Sequence, residues 1–433
     1  MARKNIYDKD LGYTILKPIV DWCTRRSYRK IEVRGKENLP TDGAILIAPN
    51  HCNTLMDALV ILQSDTKPTV FGARADMFRH PLIARIMFFL RILPMVRQRD
   101  GLRNVLKNHE SFETIVDTLE HGVRFCMYPE GRHRAARSLL PLGKGVTRAV
   151  VAADNRFGSE KPVYLVPTGI EYGDYFRYRS TCLITFGRPI NVTQFIKDLN
   201  VENEAQIMEP LRKELAERMS ELITYIKDDE NLNAKWALTK ILARSFNNKG
   251  LAADLSSNQS VIAQIEVAME EHPEQMAEML ERAVRFDKSL TSAGISIKSF
   301  GHKGLLCRCI WKGLASILGL PYFIFSATAS LPMWLAAWFI RKGIKDRAFG
   351  NTVNLGIRLG LGLVWMPLLA VICFLAAPWP LALGLTIASI PSYSYFYDYL
   401  EFMRIFISDC RLTGRRDLRK EFKEIQNTFI DLL

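Results

Sequence analysis

The pattern of apolar and polar positions divides the chain into parts with different periodicities. Between residues 30 and 190, short apolar runs of the strand type alternate with stretches that have helical spacing. This alternation predicts an α/β sheet domain whose functional groups lie at the strand ends. The predicted strands, with the turns that close some of them, cover residues 31–35, 44–47, 69–73, 92–97, 123–131, 163–169 and 183–187.

Amphipathic helical patterns replace the strands beyond residue 200. The predicted helices cover residues 201–226, 234–246, 261–269 and 273–284. The polar stretches 247–250 and 256–258 are predicted to separate the later ones. These helices carry no visible chemistry, and we interpret them as an appendage that packs on the sheet domain or on a membrane.

Uncharged apolar runs dominate the C-terminal third of the chain. Residues 313–340 and 359–397 contain no charged side chain, and about 20 apolar residues suffice to span a bilayer. The second run is long enough for two spans, predicted at about residues 353–377 and 380–398. Two prolines interrupt the first run, which predicts either one kinked span or a re-entrant hairpin. Basic residues flank both runs, and the positive-inside rule places these flanks in the cytoplasm, which favours the hairpin.

Together these patterns predict an integral membrane protein with its α/β domain in the cytoplasm. The N-terminal helix has an apolar, aromatic face beside a basic cluster, which suits either a membrane surface or packing on its own domain. The predicted segments are an amphipathic helix over 1–30, an α/β domain over 31–230, a helical appendage over 231–300, and an α-helical transmembrane region with a basic cytoplasmic tail over 301–433.

Charge and cysteine usage narrow the class of partner. The chain has 433 residues and a net charge of +13, which suits an anionic membrane face, a phosphorylated substrate or nucleic acid. The basic residues form no run interleaved with aromatic side chains, so nucleic acid is the weakest of these three interpretations. The eight cysteines are scattered without zinc-site spacing, which favours a reducing compartment over a disulfide framework.

The candidate chemistry centres on residues 48–57, which follow the second predicted strand. Asn53 is predicted to cap the helix that comes next. On a regular helix His51 and Asp57 would not share a face, so an irregular turn must bring them together if they meet. A histidine held by a carboxylate can accept a proton from an alcohol, although such a pair is more often a satisfied surface contact. Cys52 is an alternative nucleophile, but its side chain is expected to point away from His51.

Other strand ends carry groups that suit a phosphate. Arg97 ends a short strand, and its planar fork can bind two phosphate oxygens, although a single arginine there is more often a solvated charge. Gly131, which follows Glu130, would let the backbone approach a ligand closely, although Pro-x-Gly is also an ordinary turn. Lys144, between two glycines, is a second candidate for a phosphate contact, with a solvated lysine as the alternative.

Four short motifs occur in order along this part of the chain. They are Asn50-His51 with Asp57, the segment 93–97, the segment 128–131, and Val166-Pro167. The set resembles the four sequence blocks of the glycerolipid acyltransferases, the family of lysophosphatidate and glycerol-3-phosphate acyltransferases, over roughly residues 30–230. Five residues separate His51 from Asp57 where the family usually has four, which resembles the fungal-type branch that acts on glycerol-3-phosphate or dihydroxyacetone phosphate. Residues 132–134 are Arg-His-Arg where the family usually has Thr-Arg-Ser.

The resemblance implies acyl transfer from a thioester, either acyl-CoA or acyl-carrier protein, to a hydroxyl of glycerol-3-phosphate or 1-acylglycerol-3-phosphate in phospholipid synthesis. His51 would be the general base and Asp57 its orienting carboxylate. It implies no metal or other cofactor, because a thioester is already activated. The other implied site residues are Arg97, with Arg74 and Lys144 as secondary candidates, for the acceptor phosphate, Glu130 and Gly131 for the acceptor site, and Val166 and Pro167 for the acyl or donor side.

Two other functions stay open at this point. The chain could acylate a different lipid, such as an amino-lipid or a glycolipid, or it could bind membrane lipids without catalysis. An intact His51 and Asp57 argue against the non-catalytic alternative. The sequence leaves open the exact acceptor and the hydroxyl used, the acyl length, the donor carrier and the oligomeric state.

Overall fold

The structure is a computed structural model. It describes residues 5–95, 105–158, 160–201, 203–227, 229–246, 250–301 and 304–433. The chain divides into two compact units, which we call the sheet unit and the helical unit. The sheet unit comprises Met1–Phe176 and Ser180–Ile223, and the helical unit comprises Arg177–Arg179 and Thr224–Leu433.

The described part of the sheet unit contains one eight-stranded sheet. The strands begin and end close to the apolar runs that predict them, because an uninterrupted apolar run suits a strand that is covered on both faces. The strands are β1 Lys30–Arg34, β2 Ala44–Pro49, β3 Thr69–Arg74, β4 Ile92–Met95, β5 Arg124–Cys126, β6 Val163–Tyr172, β7 Thr181–Phe186 and β8 Ile190–Asn191.

The strand order is β1-β7-β6-β2-β5-β3-β4, and β8 pairs with β6. Strands β6, β2, β5, β3 and β4 run parallel to one another, whereas β7 is antiparallel to β6. The carboxyl ends of β2, β5 and β3 therefore lie at the same edge of the sheet, where open α/β sheets place their ligands. The predicted α/β sheet domain is thus confirmed, with a mixed rather than purely parallel sheet.

Seven helices are described in the sheet unit. Its main core lies between the sheet and α4, α5 and α7, where Leu46, Phe125, Val150 and Leu211 are all fully buried. The helices are α1 Leu11–Ser27, α2 Leu55–Ser64, α3 Pro81–Phe89, α4 Val105–Glu120, α5 Gly145–Phe157, α6 Val192–Leu199 and α7 Glu204–Ser220.

The helical unit is built from helices throughout its described residues. Helices α8, α9, α10 and α17 share a hydrophobic core that includes the rings of Phe286 and Phe422. The helices are α8 Leu232–Leu242, α9 Leu251–Glu271, α10 Pro273–Ala293, α11 Leu305–Ala329, α12 Leu331–Lys342, α13 Phe349–Leu359, α14 Leu361–Ala376, α15 Trp379–Ser389, α16 Ser392–Gly414 and α17 Arg416–Ile430.

One predicted break in this unit is wrong. The polar residues 256–258 lie inside α9, which continues without interruption to Glu271. Their side chains are exposed or half-buried, while Val261, Ile265 and Ala268 on the same helix are buried in the core. Tertiary packing of this apolar face outweighs the weak helix propensity of the serines and the asparagine.

The apolar C-terminal helices keep most of their surface exposed. Helix α11 is long and apolar enough to cross a membrane, and only 11% of its most apolar window is buried. It continues through Pro321 and ends before Ser330, where α12 follows. Helices α13 and α14 satisfy the same criterion together, with a bend of 41° between them, and α15 is a shorter apolar helix. The predicted spans at 353–377 and 380–398 fall on α13 with α14, and on α15 with the start of α16.

Candidate active site

The site begins where β2 leaves the sheet. Asn50, the first residue after β2, continues the pairing with β6 through its side chain. Its Nδ2 donates to the carbonyl oxygen of Ile170 at 3.1 Å, and its Oδ1 accepts from the amide of Ile170 at 2.6 Å. These two hydrogen bonds fix the backbone immediately before His51.

An irregular turn then leads into α2. Thr54 has a φ of +49°, and Asp57 in the first turn of α2 accepts hydrogen bonds from the amides of Cys52 and Asn53, at 2.8 and 2.7 Å. The predicted cap is wrong: the Asn53 side chain instead donates to the carbonyl of Tyr175 at 3.0 Å. The carboxylate of Asp57 reaches back across the turn to amides that precede the helix, which is a different role from that of a cap.

This turn brings the two predicted catalytic side chains together. Nδ1 of His51 lies 2.7 Å from Oδ2 of Asp57. Asp57 is fully buried, whereas the His51 side chain is 18% exposed. Because a carboxylate is an acceptor, Nδ1 is assigned as the donor, which leaves the lone pair of Nε2 available to a substrate.

A second buried group holds the other oxygen of this carboxylate. The hydroxyl of Tyr172, at the end of β6, donates to Oδ1 of Asp57 at 2.8 Å. Burial, reinforced by the charge of Asp57, raises the pKa of the Tyr172 phenol well above its usual range, so it stays a donor. Tyr172 is not among the predicted site residues, because the strand predicted from residue 163 ends at residue 169, whereas β6 continues to Tyr172. The aromatic and apolar residues that follow would have extended that strand.

The environment of Cys52 does not suit a nucleophilic thiol. Its side chain is buried, with Sγ 3.9 Å from Oδ1 of Asp57. Burial, with the negative charges of Asp57 and Glu130 adding to it, raises the pKa of the Cys52 thiol well above its usual range. The thiol therefore stays protonated near neutral pH, and the thiolate that would attack a thioester is suppressed.

Glu130 connects the loop after β5 to the histidine. Its Oε1 accepts from the amide of His51 at 2.8 Å, and its Oε2 accepts from the amide of Leu140 at 2.9 Å. Burial raises the pKa of Glu130, and these two amide hydrogen bonds oppose that rise. Gly131 follows with a φ of +64°, in the left-handed region that favours glycine. Glu130 is thus bound to the protein backbone, a positioning role that the sequence did not predict.

The same loop surrounds the imidazole of His51. The ring of Tyr128 stacks on it with centroids 4.2 Å apart, and the ring of His133 meets it edge-on at 5.6 Å. The amide of Arg134 donates to the carbonyl of His51 at 2.9 Å. The segment that departs from the usual family pattern, residues 132–134, therefore lies directly against the candidate base.

Arg137 supports the strand end that carries Tyr172. It is buried, pairs with Glu171, and donates to the carbonyl of Tyr172 at 2.8 Å. Its guanidinium also lies 4.7 Å from the ring centroid of Tyr175. A buried arginine that is bound in this way serves the fold of the site, because its charge is already engaged by a carboxylate.

Two of the three predicted phosphate ligands, Arg74 and Lys144, lie in the described part of the chain. Arg97 lies outside the described residues. Arg74 is exposed at the end of β3. The axes of β3 and β2 are two strand spacings, or about 10 Å, apart in the sheet. Nε of Arg74 donates to Asp76 at 3.0 Å. Lys144 is exposed immediately before α5.

The two predicted residues on the acyl side lie inside the sheet. Val166 and Pro167 are buried in β6, opposite Ile47 and Ala48 of β2. In this position they form part of the strand pairing that carries both Asn50 and the end of β6.

Comparison with known proteins finds a family match in the region that carries His51 and Asp57. Residues 30–171, which lie within the sheet unit, match the Acyltransferase family model. No curated protein matches the chain. Among solved structures, the 1-acyl-sn-glycerophosphate (LPA) acyltransferase PlsC from Thermotoga maritima is similar, with 17% identity and a TM-score of 0.34. That match covers 49% of this chain and 80% of PlsC.

Proposed function

We propose that the protein is a membrane O-acyltransferase of phospholipid synthesis. It would move a fatty acyl group from acyl-CoA or acyl-carrier protein to a hydroxyl of glycerol-3-phosphate or 1-acylglycerol-3-phosphate. The observation that carries this proposal is the hydrogen bond between His51 and the buried Asp57, within a segment that matches the Acyltransferase family.

The proposed reaction has two steps, attack on the thioester and expulsion of the thiol. Nε2 of His51 takes the proton from the acceptor hydroxyl as the oxygen attacks the thioester carbonyl, and Asp57 stabilises the imidazolium that forms. The tetrahedral intermediate then expels the sulfur, which breaks the carbon–sulfur bond. The imidazolium returns its proton to the leaving thiolate, so the products are an ester and a free thiol. No metal step is needed, because the thioester is already activated.

Acceptor recognition rests on the resemblance. We propose that Arg97, with Arg74 and Lys144 as secondary contributors, binds the acceptor phosphate, that Gly131 and the loop after Glu130 shape the acceptor site, and that Val166 and Pro167 border the acyl side. Because a phosphate ligand acts mainly on binding, Arg97→Ala should raise the acceptor KM more than it lowers kcat. An unchanged KM would remove Arg97 from this role.

The helical unit is proposed to hold the enzyme in a bilayer. The exposed apolar surface of α11 and of α14 supports this, because lipid is the solvent that favours such a surface. We further propose that the sheet unit lies on the cytoplasmic side, where the acyl donors and the soluble acceptor are available.

The decisive experiment is product analysis with purified full-length protein and its His51→Ala variant. Wild-type protein should convert glycerol-3-phosphate or its 1-acyl derivative to the acylated product, and His51→Ala should be slower by on the order of 10²–10⁴-fold. Acylation of an amino-lipid or a glycolipid instead would replace the acceptor class. Phospholipid binding without thioester consumption would indicate a non-catalytic lipid-binding protein.

A further inference from the structure

A basic cleft lies in the sheet unit where the end of α1, strand β1 and the end of α2 meet. Its volume is about 450 Å³. Four of its eight described lining residues are cationic, and none of the eight is acidic. The polar lining residues are Arg25, Arg29, Lys30, Lys36, Gln63 and Ser64.

The cations of this cleft are placed to meet a phosphate. Nε of Arg25 donates to Oε1 of Gln63 at 2.9 Å, which orients one guanidinium at the cleft. Lys30 pairs with Glu32, but its side chain is 64% exposed, and such solvated pairs are weak enough to exchange for another anion. Guanidinium forks and ammonium groups together suit a group with several charged oxygens.

Helix α1, which supplies Arg25 to the cleft, also carries exposed apolar side chains. The helix exposes Leu11, Ile15 and Trp22, and it is about 26 Å long. The guanidinium of Arg26 lies 5.8 Å from the ring centroid of Trp22, which combines an aromatic and a cation as lipid interfaces commonly do. The apolar half of α1 therefore leads to a basic end that supplies Arg25 to the cleft.

Helix α3 enlarges the apolar surface. It lies entirely within the described chain, and each of its residues is at least partly exposed although most are apolar. It contacts the first half of α1, where the rings of Tyr13 and Phe89 meet edge-on at 6.5 Å. Its exposed apolar side chains are Leu82, Ile83, Ile86 and Phe88.

We propose that this cleft binds the phosphate of an anionic bilayer lipid while α1 and α3 lie on the same leaflet. Exposed apolar side chains on the helix that supplies Arg25 favour a lipid over a soluble phosphate compound, because amphipathic basic helices bind where headgroup charge and acyl chains adjoin. The site is distinct from the His51–Asp57 pair and does not depend on the acyl-transfer proposal.

The test measures the accessibility of the cleft lysines in full-length protein. The protein is placed in nanodiscs of phosphatidylcholine, with or without phosphatidylglycerol, and lysine acetylation is followed by peptide mass spectrometry. Lys30 and Lys36 should be acetylated several-fold more slowly when phosphatidylglycerol is present. Lys213, which is 77% exposed in α7 and outside the cleft, is the internal reference and should not change.

Variants make the readout specific. The double variant with Arg25→Gln and Arg29→Gln should lose the protection of both lysines. Lys36→Gln, a change at an exposed position that the fold tolerates readily, should reduce the protection of Lys30. Arg188→Gln is the control, because Arg188 is exposed and does not line the cleft, and it should keep the protection.

Three results would overturn the proposal. Equal acetylation in both kinds of nanodisc would show that the cleft does not bind an anionic headgroup. Protection by adenosine 3′,5′-bisphosphate or inorganic phosphate in pure phosphatidylcholine, without an effect of phosphatidylglycerol, would assign the cleft to a soluble phosphate compound such as the donor nucleotide. Protection that rises with protein concentration would assign it to a second copy of the chain.

Discussion

The core of the sheet unit and helices α11–α16 of the helical unit place polar and apolar side chains differently. The sheet unit buries its apolar side chains in a core beside the sheet and concentrates a polar network at the strand ends. The helical unit exposes apolar side chains such as Leu318 on α11, which is 81% exposed, and buries polar ones such as Arg358 and Asp409.

The buried polar groups of the helical unit are satisfied by one another. The Asn354 side chain accepts hydrogen bonds from the hydroxyls of Tyr393 and Tyr397, at 2.9 and 2.8 Å. Asp409 is fully buried and pairs with Arg308 and with Lys312 near the start of α11. Such contacts hold helices together where an apolar solvent offers no hydrophobic gain from their association.

Similar interactions therefore serve different purposes in the two units. Around Asp57 they orient one imidazole that remains accessible, so a partly exposed His51 is the product of the network. Between α11, α13 and α16, the same kinds of bonds join helices of a region where α11 and α14 expose apolar side chains, as expected if lipid surrounds them. Substitutions in the two units test this difference.

Asp57→Asn should have the largest effect. An uncharged amide oxygen is a weaker acceptor than Oδ2 of the carboxylate for the three donors, His51 and the amides of Cys52 and Asn53, and the change removes the charge that stabilises the imidazolium. We expect kcat to fall by on the order of 10³-fold, about 4 kcal/mol, in a steady-state acyl-transfer assay. A variant that is folded by circular dichroism and keeps wild-type kcat would refute the role of this pair.

Leu318→Lys tests the solvent around α11. In water such a surface change costs within about 0.5 kcal/mol, whereas in hydrocarbon a lysine costs about 2.5–3.5 kcal/mol. We expect loss of membrane-integrated protein and a lower unfolding temperature in nanodiscs.

The matched control for this change is Ile430→Lys. Ile430 is 65% exposed at the end of α17, outside the apolar runs, and its substitution should have little effect. Equal behaviour of the two variants would indicate that α11 faces water and would end the contrast between the units.

Tyr172→Phe should have an intermediate effect. It removes the phenol that donates to Oδ1 of Asp57 without opening a large cavity, so the free energy of unfolding should fall by about 1–2 kcal/mol. A few-fold lower kcat with an unchanged KM is expected, because Tyr172 acts through Asp57. Tyr175→Phe loses a hydroxyl that donates to the carbonyl of Ala136 and should keep the wild-type kcat. A loss confined to KM would contradict this positioning role.

Cys52→Ala should have the smallest effect on the reaction. Its buried thiol is held protonated, so kcat is expected to stay within about three-fold of wild type, measured in the same assay as the Asp57 variant. Truncation of this small side chain should cost about 1 kcal/mol of stability at most. A loss of activity comparable to that of His51→Ala would instead support a covalent acyl-cysteine route.

Much of the architecture could be predicted from local patterns. The alternation of strands and helices predicted the sheet, and the seven predicted strands start within two residues of β1–β7, because chain periodicity reports directly on which faces are covered. The break predicted at residues 256–258 failed, since local propensity is weak compared with the burial of the apolar face of α9.

The site could be predicted only in part. The motif containing His51 and Asp57 was visible, because both residues lie in one short segment after a strand. The partners from distant segments were not, since Tyr172 is 115 positions from Asp57 and Glu130 is 79 positions from His51. Their contacts depend on the register of β6 and on the course of the loop after β5, which no local pattern encodes.

What the sequence determined by itself was therefore the choice of elements, the charge and the reactive residue types, because these follow from neighbouring positions along the chain. Only the tertiary structure decided that the Asp57 carboxylate binds the amides of the turn before α2, that Glu130 accepts from the amide of His51, and that cations from α1, β1 and the segment after β1 line one cleft. None of these follows from a local pattern, because folding alone brings the groups within hydrogen-bond or contact distance.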